Sequence, residues 1–476
     1  MFVQIHMLQS MPPGNLNRDE SGQPKKCVFG GVTRGRISSQ CLKRNIRRSQ
    51  QFIDAFGDAL ADRTTYLPRM VADELQKNAM GVPDDELECL KAAIAEEFRK
   101  KKGKGDADEA DEDEEGQDGG SEPGAASEAD KTGQLVFFPP PFARRIAELL
   151  AAFRKEKPDA YQLFVTGEVN ETAEQEAQRK AKSKELKDRK KAISADKKAP
   201  MTDDERASIK AKEEALKKDE QQFKTECQNT AEVLKKEIAL LVADIAKASK
   251  TLTVDIGLFG RMTTSNLVVN VEAACQVAHA ISTHETLIES DYFTAMDERK
   301  AQYTSSQTDQ GGAAFMGTGD TVTFFNSAVY YKYLNLDLRA LKNHLPDLSD
   351  NDAAQVAAVL VSAAALANPT GKQNSFASHG VPELILIELS KVKRPLSYAN
   401  AFLQSVESGV GCNLMAESAK ALCAYIDSVA PAFAPSDVRR LLLAAGAATS
   451  TQLATAHEST PSLDKLVEGV AREAAK

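Results

Sequence analysis

The 476-residue sequence has no tryptophan, only six histidines and only seven cysteines. Cys27, Cys41, Cys89, Cys227, Cys275, Cys412 and Cys423 are scattered, odd in number and never spaced C-x-x-C. That pattern argues against a disulfide frame and a zinc site, and for reduced, cytosolic thiols. His279 and His284 are five apart, a poor spacing for one metal on a helix, so packed or surface imidazoles are expected. No apolar run approaches the ~20 residues a membrane span needs. The first residues, Met1-Phe2-Val3-Gln4-Ile5-His6, lack the basic start and long apolar core of a signal peptide. Neither H-E-x-x-H, G-x-S-x-G nor a P-loop occurs, so no catalytic constellation, metal or cofactor is expected.

The chain does hold a strong local charge imbalance. Hydrophobic residues make up 42% of it, enough for a sizeable core, and the net charge is −9. Residues 103–130 hold twelve acids and one lysine, so this run carries −11 and leaves the rest of the chain at +2. The overall acidity therefore says little about partners. Residues 1–50, by contrast, carry nine Lys or Arg against Asp19 and Glu20. Within them Phe29-Gly30-Gly31 precedes Arg36-Ile37-Ser38-Ser39-Gln40-Cys41-Leu42-Lys43-Arg44-Asn45-Ile46-Arg47-Arg48. Glycines allow close backbone approach to a phosphate. Ser38 or Ser39 can cap a following helix whose first N–H groups favour an anion. Lys43 and Arg47 are four apart on one face, with Arg44 and Arg48 in the adjacent row, a surface suited to a polyanion.

The organisation reads as mixed α and β. Phe2 to Leu8 suggests a strand, followed by a turn-rich loop, a hairpin around Gly30-Gly31 and the basic helix from Ser39. Residues 54–99 are mostly helical in pattern, and 103–133 have too little to bury and should be disordered. Leu216, Phe223, Cys227, Leu234, Ile238, Leu241 and Ile245 fall on helical spacing, so 170–250 is read as a helical hairpin or arm. Thr253–Phe259 is strand-like. Gln276–His284 reads as a weak strand with helix still open, and Thr321–Phe325 and Ala328–Tyr333 as two strands. Residues 352–366 form an alanine-rich helix, 383–388 a short strand, and the chain from Ala399 onward is mostly helical.

Three stretches resemble the backbone subunit of type I-E CRISPR surveillance complexes (Cascade), the CasC family. The first is Leu16-Asn17-Arg18-Asp19 with Phe29-Gly30-Gly31 and Arg36 to Arg44. The second runs from Val254-Asp255-Ile256-Gly257-Leu258-Phe259-Gly260-Arg261-Met262-Thr263-Thr264 through Val277 to His284. The third joins Asp291-Tyr292-Phe293-Thr294-Ala295, Gly371-Lys372-Gln373-Asn374 and Pro395 to Phe402. The resemblance covers roughly residues 1–60 and 250–405, and only weakly 61–100 and 134–160. It implies an α+β fold, with an RRM-like (ferredoxin-like) palm, an inserted helical finger domain and a β-hairpin thumb. The corresponding ranges are 1–50, 251–290 and 321–476 for the palm, 51–250 for the finger region and 291–320 for the thumb. The stretches 103–133 and 170–215 stand out as additional material.

The function implied is cytoplasmic and non-enzymatic. The chain would bind CRISPR RNA, associate with copies of itself and other Cascade subunits, and reach target DNA through the guide, without a membrane. By position, Arg18, Lys25, Arg36, Ser38, Gln40, Lys43 and Arg47 resemble the family's RNA-backbone contacts, and Arg44 and Arg261 are counted with them. Such contacts are sequence-independent, with specificity left to base pairing. Met262 and Phe293 resemble positions that wedge against unstacked bases. The alternatives are a palm-domain ribonuclease of the type III-like kind, with Asp19 as its aspartate, and a coiled-coil adaptor centred on 170–250. Asp19 beside Arg18 is otherwise explained by an Asx-turn or ion pair. The acidic run reads as a solvated spacer, or as a nucleic-acid mimic that shields the basic groove.

Overall fold

The computed structural model describes residues 1–57, 60–78, 82–99, 130–133, 135–168, 173–196, 203–263, 265, 267–292, 295–296, 313–314, 322–409, 411–450 and 459–476. Its centre is a mixed α+β assembly around one antiparallel sheet. The strands are β1 (Phe2–Gly14), β2 (Lys26–Phe29), β3 (Val32–Ile37), the short β4 (Asp62–Thr64) and β5 (Val136–Phe138), β6 (Cys275–Val277), β7 (Ala280–Ser282), β8 (Glu289–Tyr292), β9 (Ala295–Met296), β10 (Ala313–Ala314), β11 (Val322–Asp337), β12 (Pro382–Ser390) and β13 (Arg439–Ala444). The main sheet runs β13-β12-β1-β11-β7-β3-β2, with β6 and β8 also on β11.

β1 lies between β11 and β12, with Phe2 opposite both Asp337 and Ser390. Its near-continuous burial reflects helices on both faces, and alternation sends successive side chains to different cores. Val3, Ile5 and Met7 join the first core with the helices Asp350–Leu366 and Leu463–Ala474. Leu8 joins the second with Tyr331, Leu384 and the helix Leu414–Phe433. That second face also holds buried polar groups that must be paired. His6 Nδ1 lies 2.9 Å from the Tyr331 hydroxyl. Glu388 accepts from the Tyr398 hydroxyl at 3.1 Å and from Arg440 Nε at 2.9 Å. His6 Nε2 sits 3.7 Å from Glu388.

A third core lies in the long helical insertion between β3 and β6. Helix α1 (Ser39–Arg47) leads through α2 (Gln50–Phe56) to α3 (Leu67–Lys77), α4 (Asp84–Arg99), α5 (Pro141–Glu156) and α6 (Pro158–Thr166). Leu67, Leu90, Phe142, Ile146 and Tyr161 pack there with Leu241 and Ile245. The last two belong to α8 (Asp203–Ala248), a single 46-residue helix. It pairs antiparallel with α7 (Ala173–Asp196) through Leu186, Ile193 and Leu216, flanked by Arg189–Asp219 and Lys190–Glu220 ion pairs.

Several segments differ from the sequence reading. Thr253–Phe259 forms not a strand but the short helix α9 (Val254–Phe259). A short apolar run cannot choose between the two forms by periodicity, and here the Asp255 side chain accepts from its neighbour's N–H and from Ala61 N, which fixes the turn. The two strands expected at 321–333 are one strand continuing to Asp337. The chain from Ala399 onward, read as mostly helical, also contains a strand: Arg439–Ala444 pairs with β12. Most of the run 103–133 lies outside the described residues, but its end is packed. Asp130 is buried and holds Lys91 at 2.7 Å, and Thr132 N donates to Thr65 O. Much of 291–320 also lies outside; within it, residues 295–296 pair with 313–314, and at its edges 289–292 pair with 322–325.

Candidate nucleic-acid interface

The hairpin β2–β3 and the helix α1 form one local unit. Gly30 and Gly31 take φ of 63° and 83°, the left-handed region where glycine is unstrained. Gly30 also lies against the Leu403 carbonyl, so close that a Cβ would overlap it. The chain leaves β3 at Ser38, whose extended backbone and hydroxyl cap α1 by accepting from Cys41 N at 3.3 Å. Ser38 N in turn donates to Asn17 Oδ1 at 2.8 Å, and Ser39 N donates to His279 Nδ1 at 3.1 Å. The turn-rich loop, the cap and the strand region at His279 are thereby fixed together. Asp19 Oδ1 accepts from Ser21 N, Ser21 Oγ and Gln23 N, the Asx-type turn expected of it.

The positively charged side chains fall into three groups. Arg18 is exposed and bridges to Pro24; Lys25, half-buried, faces Arg36 across the hairpin, with Arg36 N donating to Lys25 O at 2.9 Å. Arg36 Nε is buried without a hydrogen-bond partner. Strand alternation puts Arg34 and Arg36 on the face opposite Ile37. On α1, Leu42 and Ile46 point into the first core, which turns Arg44 and Arg48 outward, with Gln40 half-buried one turn before them. Lys43 is half-buried beside that row. No acidic residue interrupts Ser39–Arg47.

Arg47 and Arg261 point inward. Arg47 Nε meets Asp255 Oδ2 at 2.9 Å, its Nη2 donates to Ala61 O at 2.7 Å, and its guanidinium lies 4.4 Å from the centre of the Phe137 ring. Asp255 is 0% exposed and also accepts from Ala61 N. Arg261, 4% exposed, donates to three backbone carbonyls: Val269 at 3.0 Å, Phe137 at 3.1 Å and Ser249 at 2.7 Å. Burial lowers it to about 10, so it stays protonated at neutral pH. The next residue, Met262, is 60% exposed. Its loop is held by a two-way backbone bridge between Arg261 and Val271 and by Thr263 N on Asn270 Oδ1. Phe293 lies outside the described residues.

Sequence reasoning missed Arg34, which is fully buried and donates to the carbonyls of Phe29, Ser282 and Phe402. It also missed Asp255 and Phe137. An inward arginine and an outward one look the same in a basic sequence run; the only available signal was Asp255, a carboxylate set in an otherwise apolar run.

Taken together, these features define a mixed α+β protein with an open basic surface on a hairpin and helix. The chain belongs to the CT1975-like protein family, whose sequence profile matches residues 3–195 and 163–469. Two solved structures share its fold. One, described as a CRISPR RNA-guided surveillance complex, pre-nicking, is 22% identical over the full length of both chains with a TM-score of 0.64. The other, described as a CRISPR RNA-guided surveillance complex, is 20% identical over 99% of this chain and 100% of that chain, with a TM-score of 0.56. No curated protein matches the chain. Among the described residues, no helix is long and apolar enough to cross a membrane, and no three His, Cys, Asp or Glu residues are grouped to hold a metal.

Proposed function

We propose that this chain is the guide-RNA-binding backbone subunit of a CRISPR surveillance complex, of the type I-E, CasC-like kind, and a scaffold rather than an enzyme. In this reading residues 1–50, 251–290 and 321–476 form an RRM-like palm, 51–250 the finger region and 291–320 the thumb. Copies assemble along CRISPR RNA in the cytoplasm with other Cascade subunits, and target DNA meets the protein through the guide. Family membership and the shared fold support the reading.

The observation that carries it is the outward row of α1. Arg44 and Arg48, flanked by Gln40 and Lys43, stand on a capped helix with no acid among them. Such a row binds phosphates without reading bases. Arg36, half-buried on the hairpin, adds a further positive charge. The exposed Met262 supports contact with an unstacked base.

The test is to co-express the chain with a CRISPR array and its neighbouring subunits, then measure bound RNA and challenge the complex with complementary RNA and Mg²⁺. Bound guide of defined length, of any spacer sequence, and uncut target RNA are expected. Periodic cuts in the target would favour the ribonuclease alternative. Purified complex without nucleic acid would overturn the scaffold reading.

A further inference from the structure

The basic helix α1 and the Met262 loop are far apart in sequence, yet one cluster of side chains ties them together. Asp255 on α9 holds Arg47 of α1. The same helix α9 runs directly into Gly260, Arg261 and Met262. Phe137 of β5 contributes twice: its ring lies against the Arg47 guanidinium, and its carbonyl accepts from Arg261. Arg261 in addition gathers Ser249, just past α8. The helical insertion therefore grips both the basic helix and the loop that exposes Met262, through buried Asp255 and Ser249 and half-buried Phe137.

We propose that Asp255 and Phe137 are positioning residues that lock α1 to the Met262 loop, so that a bound RNA strand meets the basic row and the Met262 side chain at one fixed spacing. This rests on the RNA-scaffold reading. Rigid spacing matters because a phosphate contact and a base wedge must act on the same stretch of strand. If the two could slide relative to each other, phosphates would still be neutralised but unstacking would occur at no defined nucleotide. An ion pair closed on a 0% exposed carboxylate suits the task, since a buried carboxylate deprived of its partner has no solvent to turn to.

The experiment uses the full-length chain assembled on guides that carry 2-aminopurine at successive positions, since this base brightens when unstacked. The unaltered protein, Asp255→Asn and Phe137→Leu are compared, with circular dichroism for the fold and the salt dependence of guide binding for phosphate contacts. The unaltered protein should give bright positions at regular intervals. Both variants should keep the salt slope while the contrast between bright and dark positions is lost. Unchanged contrast in the folded variants overturns the proposal. If Asp255→Asn does not fold, Phe137→Leu alone decides. If neither folds, the cluster is a folding core, and the positioning role is overturned. A protein that binds guide normally but shows no bright positions even when unaltered also overturns it. A protein that binds no guide at all overturns the RNA reading itself.

Discussion

Replacing Arg261 with leucine should destabilise the RNA-free protein strongly, a result that separates a structural arginine from an RNA contact. The guanidinium is 4% exposed and spans three carbonyls, those of Ser249, Phe137 and Val269. Hydrogen bonds from a charged donor contribute ~1.5–3 kcal/mol each, a gross loss of roughly 4–9 kcal/mol for three. Part is returned, because leucine escapes the cost of burying a charge, and a net loss of about 3–5 kcal/mol remains. Against a typical total stability of ~5–15 kcal/mol that is a large share. Arg261→Lys should fall between, because one ammonium cannot reach three carbonyls that a planar fork spans. The assay is urea unfolding of the RNA-free chain followed by tyrosine fluorescence, which no tryptophan obscures. A loss below ~1 kcal/mol, combined with weakened guide binding, would refute the reasoning and make Arg261 an RNA contact.

Arg44→Ala should leave stability unchanged and lower the salt slope of guide binding by about 0.7, equally for unrelated spacers. Arg47→Ala should instead cost roughly 3 kcal/mol in the RNA-free melt, because it strands the buried Asp255 carboxylate. Gly30→Ala should destabilise the hairpin by more than the ~1–3 kcal/mol of a left-handed non-glycine residue, since its Cβ has no room beside the Leu403 carbonyl; thermal melting checks this. Burial lowers the His6 pKa below its usual 6.5, so its contribution is complete above 6.5 and fades as pH falls through the lowered value. Burial alone would raise Glu388, but His6 and Arg440 outweigh it and hold the carboxyl below its usual 4.5, so its contribution is lost as pH falls through that lowered value. The melting temperature should therefore fall as pH drops below 6.5, and His6→Gln should lessen that fall.

Local chemistry made much of this fold legible in the sequence. The apolar start of β1, the Gly30-Gly31 hairpin, the serine cap of α1 and the spacing from Leu216 to Ile245 each follow from rules that act within a few residues. What escaped depended on distant partners. Arg439–Ala444 carries a plain apolar run and becomes a strand because β12 offers it an edge. Thr253–Phe259 has strand-like composition, and Asp255, bonded to Arg47 and Ala61, turns it into a helix. The basic row was visible in the sequence as charge, but its facing was not. Lys43 and Arg47 share a spacing, yet Arg47 is drawn inward by a carboxylate 208 positions away. Direction is set by tertiary packing, and a run of like charges carries no record of it.

The continuity of α8 has a mechanical consequence. At 1.5 Å per residue its 46 residues span about 69 Å, with Leu241 and Ile245 clamped in the core of the insertion. The portion from Asp203 to Leu241 is then a lever of about 57 Å, stiffened along part of its length by α7. A tilt of about 10° at the clamp would sweep its tip through about 10 Å. Ser249, the fulcrum end, is bonded to Arg261 beside Met262. A displacement of the distant tip is thus reduced about fivefold near Ser249, beside the methionine, and a displacement there is magnified outward.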